Sequence, residues 1–167
     1  MKKVLLMICL VMTTLGTFAQ EKGDMAVGAN LTYGTDVKTI AIGVKGQYNV
    51  LDNVRVEADF DYWLKKDGVS FWDIQANVQY LFKMADNFKL YPLAGIGYMG
   101  YKTDAVEMSV GGVTVSSSSS SGGDVFFTLG GGVQYDLTEK VAVSGELKYQ
   151  FKDGSQLCIC AGVAYKF

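Results

Sequence analysis

The sequence contains no histidine and only one proline and three cysteines in 167 residues. Without histidine, the chain lacks the side chain that most often acts as a general base or metal ligand near neutral pH. The shortage of proline, with 20 glycines and 13% aromatic residues, is typical of a strand-rich fold and not of a disordered chain. The formal net charge is −2 without any run of basic residues, which argues against nucleic-acid binding. We assign no catalytic residue, no metal site and no cofactor.

Two of the few cysteines, Cys158 and Cys160, stand two positions apart in an alternating segment. Residues at this spacing in a strand point to the same side of the sheet, but too far apart for an easy disulfide. Such a pair could bind a soft metal, but no histidine and no further nearby cysteine would complete the ligand shell. We interpret both cysteines as compact side chains that fill an interior face.

The N-terminal residues have the features of a secretory signal peptide. Lys2 and Lys3 precede the apolar run VLLMICLVM, and small residues follow up to Ala19. The apolar run is too short for a comfortable transmembrane helix. We therefore predict a cleaved signal peptide at residues 1–19 and a single domain, long enough for a substantial interior, at residues 20–167.

The remainder of the chain reads as eight segments in which apolar and polar residues alternate, the pattern of strands with one oily and one wet face. Nothing between them has the periodicity of a helix, and strands joined by short turns form an antiparallel meander. The eight segments are MAVGANLTY, TIAIGVKGQYNV, VRVEADFDYWL, SFWDIQANVQYLF, FKLYPLAGIGYMGY, DVFFTLGGGVQYDL, VAVSGELKYQF and LCICAGVAYKF.

The connections between these segments alternate in length. Tight turns follow the even-numbered strands and contain LDN, MADN and LTEK. Longer loops follow the odd-numbered strands: GTDVK, KKDGV, KTDAVEMSVGGVTVSSSSSSGG and KDGSQ. Short turns at one end and long loops at the other are typical of a bacterial outer-membrane barrel, which also has an even number of strands. In that arrangement both termini lie on the periplasmic side.

The wet face carries charge at positions that a soluble barrel would expose to water. In the third strand Arg55, Glu57, Asp59 and Asp61 share this face, and in the seventh Glu146 and Lys148 do. Two patterns indicate the inverse arrangement, with the charges inside the barrel.

The first pattern is the placement of glycine, which mostly has the parity of the polar residues. An eight-stranded barrel is just wide enough for side chains to fill it, so long charged side chains fit only beside positions without one. The glycines that provide this room are Gly43, Gly95, Gly97, Gly130, Gly132 and Gly162.

The second pattern is that aromatic residues of the oily face gather at the two strand ends, with mainly aliphatic residues and glycine between them. Two aromatic bands around an apolar belt are what two lipid–water interfaces require. The band at the loop end consists of Tyr33, Tyr62, Trp72, Tyr98, Phe127, Tyr149 and Phe151. The band at the turn end consists of Tyr48, Tyr80, Phe82, Phe88, Tyr135, Tyr165 and Phe167.

We therefore predict an all-β, eight-stranded antiparallel up-and-down transmembrane β-barrel. Phe60, Ile74 and Leu147 should face outward, whereas Glu57 and Lys148 should face the centre. The alternative is a soluble, secreted, lipocalin-like barrel that holds an apolar ligand, and it requires the opposite orientation.

With its fifth strand YPLAGIGY and its C-terminal AGVAYKF, the chain resembles the small outer-membrane β-barrels of the OmpA and OmpX type, in the porin family of Gram-negative bacteria. This resemblance implies an integral outer-membrane protein that contacts membrane lipid and lipopolysaccharide and is a monomer. It also implies that the barrel-assembly machinery reads an alternating C-terminal signal formed by Val163, Tyr165 and Phe167. These three residues would serve equally as part of the turn-end aromatic band.

The inward charges are expected to form a network, because an unpaired charge in so narrow a lumen is costly. The LDN turn would place Lys45 opposite Asp59, with Arg55 and Glu57 nearer the turn-end mouth. Glu146 lies at a comparable distance from its own turn, and Lys148 lies one step further. Paired in this way, these side chains would plug the barrel.

The longest loop contains a serine run whose composition is typical of a flexible surface segment. It could instead contact a host molecule or a phage, which would give the protein an adhesion-like role. The residues of this run are Ser116, Ser117, Ser118, Ser119, Ser120 and Ser121.

Three classes of function remain. A structural or surface-interaction protein needs only a stable barrel and exposed loops, and a narrow gated pore is the alternative. An enzyme is disfavoured, because eight-stranded outer-membrane acyltransferases and deacylases depend on histidine. GIGYMG matches a dinucleotide-binding pattern, but it lies inside a strand, where no helix N-terminus can meet a pyrophosphate.

Overall fold

The computed structural model describes residues 22–66, 69–103, 107–110, 113–116, 120–152 and 154–167. Within them no helix is long and apolar enough to cross a membrane. The strands are β1 (Met25–Gly34), β2 (Thr39–Leu51), β3 (Val54–Lys66), β4 (Val69–Tyr80), β5 (Phe82–Ala85), β6 (Phe88–Thr103), β7 (Glu107–Val110), β8 (Val113–Ser116), β9 (Ser120–Asp136), β10 (Val141–Phe151) and β11 (Gln156–Lys166). The predicted signal peptide lies outside the described residues and stays a prediction.

The strands form a closed antiparallel barrel in which neighbours in the sequence are mostly neighbours in the sheet. The order runs β4-β3-β2-β1-β11-β10-β9-β6-β5, and pairing of β4 with β6 closes the circle. β7 and β8 form a separate sheet, and β4 and β5 together count as one strand of the barrel wall. The barrel therefore has eight strands. The predicted fold is confirmed.

Two details differ from the sequence prediction. The fourth segment is not continuous, since β4 ends at Tyr80 and β5 resumes at Phe82, with Leu81 donating its backbone N–H to the Asn53 carbonyl at 2.8 Å. The longest loop contains a hairpin of its own, because β7 pairs with β8 in a separate two-stranded sheet. Beside that hairpin, β6 and β9 stay paired up to Thr103 and Ser120.

The side chains are arranged inside out relative to a soluble barrel. Phe60, Ile74 and Leu147 face outward and are 44%, 51% and 54% exposed. Glu57 and Lys148 face the lumen and are each 2% exposed. This arrangement confirms the predicted inversion and excludes the lipocalin-like alternative, which needs the apolar face inside.

Glycine makes room for the interior side chains at the expected positions. A Cβ atom on Gly43 would lie 2.0 Å from Asp61 Oδ1, and one on Gly97 would lie 2.3 Å from the Phe126 ring. At Gly132 it would meet both the Tyr91 ring and Glu146 Cγ, at 2.7 and 2.8 Å. These strand glycines are therefore required by lumen packing, as isolated strand glycines at a close approach often are.

The outward aromatic residues lie near both strand ends, as predicted. At the loop end Trp72 stands between Phe60 and Tyr98, with ring centroids 6.3 and 5.9 Å away. At the turn end Tyr165 contacts Phe167 with centroids 5.3 Å apart. These contacts give each interface a partly continuous aromatic rim.

The predicted charges lie inside the lumen, but the lumen also contains apolar layers that were not predicted. Near the loop end a buried apolar layer crosses it, and near the turn end Leu81, Tyr91 and Leu93 form a smaller cluster. The loop-end layer consists of Ala41, Trp63, Met99, Phe126, Cys158 and Cys160. Both cysteines are free, which agrees with their interpretation as interior filling.

Candidate functional site

The centre of the lumen holds a group of five charged side chains, here called the central charge cluster. β2 provides Lys45, β3 provides Glu57 and Asp59, and β10 provides Glu146 and Lys148. Each occupies the inward parity of its strand, and all five side chains are buried. Strand alternation therefore directs all five side chains inward, and the cluster forms because their strands lie on walls that face each other across the barrel.

Ion pairs link all five residues of the central charge cluster. Lys148 Nζ lies 2.8 Å from Asp59 Oδ2, 3.0 Å from Glu146 Oε2 and 3.8 Å from Glu57 Oε1. Lys45 Nζ lies 3.0 Å from Glu146 Oε1 and 3.4 Å from Glu57 Oε2. Two ammonium groups thus bridge three carboxylates.

The strand register and the ion pairs make different connections. Lys45 is the register partner of Asp59 across β2 and β3, as expected from the LDN turn. Its ion pairs nevertheless run to Glu57 and Glu146, while Asp59 pairs with Lys148 from the opposite wall. The lysines therefore pair both along their own wall, as Lys45 does with Glu57, and across the lumen, as Lys148 does with Asp59.

Neutral polar groups complete the surroundings of the carboxylates. Gln47 donates to Glu57 Oε2 at 2.6 Å, and Asn77 donates to Asp59 Oδ2 at 3.1 Å. The Tyr91 hydroxyl donates to Glu146 Oε1 at 2.8 Å. Each of these donors bonds to an oxygen that a lysine also contacts, so three carboxylate oxygens accept from two groups each. No pattern in the sequence pointed to these three donors.

Arg55 is buried near the turn end and lies apart from the central charge cluster. Its Nε and Nη1 donate to the side-chain oxygens of Gln79 and Gln134 at 2.6 and 2.7 Å. Its guanidinium carbon lies 5.1 Å from the centroid of the Tyr91 ring. Arg55 is therefore held by amides and an aromatic face, and not by the carboxylates with which it was grouped in the sequence.

Two further buried acids, Asp61 and Asp73, lie between the central charge cluster and the loop-end apolar layer. They are register partners on β3 and β4. Asn30 donates to Asp61 Oδ1 at 2.8 Å, while Gln75 Nε2 and the Trp63 indole N–H donate to Asp73. Asp73 has the wet parity of its strand, and this was the available signal for its inward position.

A second ion-pair group lies at the turn-end mouth. Asp136 Oδ2 accepts from Lys89 Nζ at 2.8 Å and lies 3.1 Å from Lys166 Nζ. No pattern in the sequence joins these residues, because they stand at the ends of three separate strands. In this group two lysines share one carboxylate.

Of the other predicted site residues, the three of the assembly signal lie apart from the lumen. Val163, Tyr165 and Phe167 face outward on the last strand and at the C-terminus, and all three are exposed. In the serine run, Ser116 ends β8 and Ser120 begins β9, whereas residues 117–119 lie outside the described residues. An assembly signal and a loop contact both stay predictions.

A closed sheet with an apolar exterior, two aromatic bands and a charged interior defines a transmembrane β-barrel. The chain matches the family model "Outer membrane protein beta-barrel domain" over residues 5–167. It therefore belongs to this family of outer-membrane β-barrels. No curated protein sequence matches it.

Several solved outer-membrane barrels have the same fold. The N-terminal β-barrel domain of Pseudomonas aeruginosa OprF is 16% identical with a TM-score of 0.71, covering 89% of this chain and 100% of that one. A major outer membrane protein from Thermus thermophilus is 11% identical with a TM-score of 0.68, covering 88% and 100%. Ail of Yersinia pestis is 17% identical with a TM-score of 0.60, covering 88% and 100%. At these identities the likeness establishes the fold alone.

Proposed function

We propose that this outer-membrane barrel is a non-catalytic structural or surface-interaction protein whose lumen is plugged. Its long connections would face the cell exterior, and both termini would lie in the periplasm. The observation that carries the proposal is the bridging of three buried carboxylates by Lys45 and Lys148. A lumen filled by mutually paired charges leaves little room for a conducting path.

The apolar layer at the loop end supports the same proposal. Trp63, Met99 and Phe126 are buried there beside both cysteines. A dry layer between the loops and the charge cluster opposes the passage of hydrated ions, because ions lose hydration in an apolar constriction.

The surface role rests on the loop end. β6 and β9 remain paired as far as Thr103 and Ser120, next to the β7–β8 hairpin. A structurally similar barrel is named as the attachment invasion locus protein of Yersinia pestis and has been solved with the heparin analogue sucrose octasulfate. For this chain, a host or phage surface molecule is the corresponding partner.

Further parts of the proposal concern biogenesis and surroundings. Residues 1–19 are a signal peptide removed on export, and the barrel-assembly machinery reads Val163, Tyr165 and Phe167. The mature protein is a monomer surrounded by phospholipid and lipopolysaccharide.

The plugged lumen is tested by conductance across planar bilayers. The purified wild-type protein is expected to give no current steps above the bare bilayer. The competing function is a narrow gated pore, because the same ion pairs could exchange partners. Steps in the wild type that change in Lys45→Ala or Glu146→Ala, but not in Lys140→Ala, would establish the gated pore and overturn the plug.

The surface role is tested by deleting residues 102–123 and comparing adhesion and phage sensitivity of cells that display equal amounts of protein. A loss of either property supports a contact surface at this loop. Unchanged behaviour leaves a structural role alone.

A further inference from the structure

The barrel wall does not end at one height on the loop side. β6 pairs with β9 as far as Thr103 and Ser120, whereas β10 pairs with β9 only as far as Phe151 and Phe127. Within the described ranges, no strand therefore lies beside residues 120–126 on the β10 side. These seven residues, here called the upper edge of β9, extend beyond Phe127 of the loop-end aromatic band and so past the lipid–water interface.

Alternate backbone groups of the upper edge of β9 point away from the barrel sheet. In an antiparallel strand, successive residues direct their N–H and C=O groups to opposite sides. The Asp136 N–H donates to the Asn87 carbonyl at 2.8 Å on the β6 side, and the β6–β9 register runs without a shift over the whole of β9. Even-numbered residues of β9 therefore face β6. Ser121, Gly123 and Val125 present their donors and acceptors to the side where no described strand receives them.

The upper edge of β9 lacks the usual protection against strand pairing. Exposed edges are commonly blocked by lysine, by proline or by a bulge. The sequence of this edge, SSGGDVF, contains neither lysine nor proline, and its register with β6 contains no bulge. Gly122 and Gly123 leave the backbone bare, because Tyr101 and Tyr98 occupy the space that a Cβ atom would need. Another chain can therefore approach this backbone closely.

A second copy of the barrel in the same membrane has the wrong geometry for this edge. Barrel strands are tilted by about 35–45°, and a copy related by an axis normal to the membrane tilts its own edge the opposite way. The two edges would cross at about 70–90°, whereas adjacent strands of a sheet differ by only about 20–25°. A flexible segment of another protein can align with the edge.

The single charge of the upper edge of β9 defines this partner further. Asp124 is exposed and has no ion pair among the described residues. The ammonium group of Lys152 contacts Met99 Sδ at 3.1 Å. Opposite charges that face each other across a strand pair are favourable. A partner residue opposite Asp124 is therefore expected to be lysine or arginine.

We propose that the upper edge of β9 binds an extended, basic segment of another protein as an added antiparallel strand. This inference rests on the proposed surface role and names its mode of recognition. Backbone hydrogen bonds to Ser121, Gly123 and Val125 supply the affinity, and a cation opposite Asp124 supplies the selectivity. Because Asp124 directs its own backbone groups toward β6, the cationic residues of the partner direct theirs away from the barrel.

The probe is a seven-residue peptide of alternating threonine and lysine, with fluorescein at its N-terminus and an amide at its C-terminus. Fluorescence anisotropy follows its binding to the wild-type barrel refolded in zwitterionic detergent, with protein-free micelles as the blank. Two further forms carry backbone N-methyl groups, either on the threonines or on the lysines. Methylated threonines should abolish binding, because they lie opposite the odd-numbered residues, whereas methylated lysines should leave it intact. Equal binding of the two forms, or no binding of the parent peptide, would overturn the added strand.

A charge variant tests whether the peptide lies on this edge. Asp124→Asn should weaken binding by up to about fivefold, whereas Asp36→Asn, which removes the same charge from an exposed position of the β1–β2 loop, should not change it. Equal weakening by the two variants would overturn the placement. A loss of adhesion on deletion of residues 102–123, without peptide binding to the wild type, would leave the surface role standing and remove the added strand.

Discussion

Lys45 on β2 and Glu146 on β10 are 101 residues apart in sequence, yet Lys45 Nζ lies 3.0 Å from Glu146 Oε1. β1 and β11 separate their strands in the sheet, so the contact crosses the lumen and does not follow the wall. Such a pair forms only after the barrel has closed. The central charge cluster therefore joins walls that lie on opposite sides of the closed barrel.

Removal of Lys148 should destabilise the barrel more than any loss of a surface charge. This ammonium group contacts Asp59, Glu146 and Glu57, so Lys148→Met leaves three buried carboxylates with Lys45 alone. Breaking a buried ion pair by removing one partner costs about 3–5 kcal/mol. The measurement is urea unfolding in lipid vesicles, read by heat-modifiability on a gel.

The matched control for this variant is Lys140→Met, at an exposed position in the β9–β10 turn. Surface changes of this kind usually alter the free energy of unfolding by no more than about 0.5 kcal/mol. Equal unfolding midpoints for the two variants would show that the central charge cluster contributes no net stability.

Two glycines of β2 should respond oppositely to the same substitution. A Cβ on Gly43 would lie 2.0 Å from Asp61 Oδ1 and 2.8 Å from the Phe60 carbonyl oxygen, whereas one on Gly46 meets nothing within 4 Å. Overpacking at Gly43→Ala should cost about 1–3 kcal/mol. Gly46→Ala should be neutral or gain up to about 1 kcal/mol, because alanine loses less backbone freedom on folding. Urea midpoints test both, and a cost at Gly46 as large as at Gly43 would contradict the assignment of inward and outward faces.

Depth in the bilayer should separate two leucines of equal exposure. Leu147 and Leu137 are 54% and 56% exposed, but Leu147 lies within β10 and Leu137 follows the end of β9. A lipid-facing arginine costs about 2–4 kcal/mol at the bilayer midplane and about 0–1 kcal/mol near the interface. Leu147→Arg should therefore be clearly the more destabilised in vesicles. The same loss of unfolding free energy for both variants in vesicles would argue against the membrane belt.

The strands and their inward and outward faces could be predicted from the sequence, because side-chain alternation is a local property with a period of two. The Lys45–Asp59 register was also predictable, since a tight turn fixes the pairing of the strands it joins. The Lys148–Asp59 ion pair was not, because it depends on the stagger with which the sheet closes. No local pattern reports that stagger.

Of the loop-end apolar layer only the two cysteines were predicted to face inward, and its larger residues were missed for a different reason. Trp63 follows Asp61 at the same parity, and Phe126 stands between Asp124 and Thr128. Their positions therefore indicated the inside, but their chemistry resembles that of the lipid face. In an inside-out protein, hydrophobicity does not decide the face of a single residue, and parity is the better guide.

The two tryptophans of the chain should report opposite environments, which tests this distinction directly. Trp72 is outward and contacts Phe60 and Tyr98, whereas Trp63 is inward, 1% exposed, and donates its indole N–H to Asp73. Trp63→Phe leaves Trp72 as the sole reporter, and Trp72→Phe leaves Trp63. In vesicles of phospholipid brominated near the headgroup end of its chains, Trp72 should be strongly quenched, because bromine reaches it by contact. Trp63 should keep most of its fluorescence, because the barrel wall separates it from lipid. Vesicles without bromine give the reference intensity for each variant, and equal quenching of the two residues would contradict the inward position of Trp63.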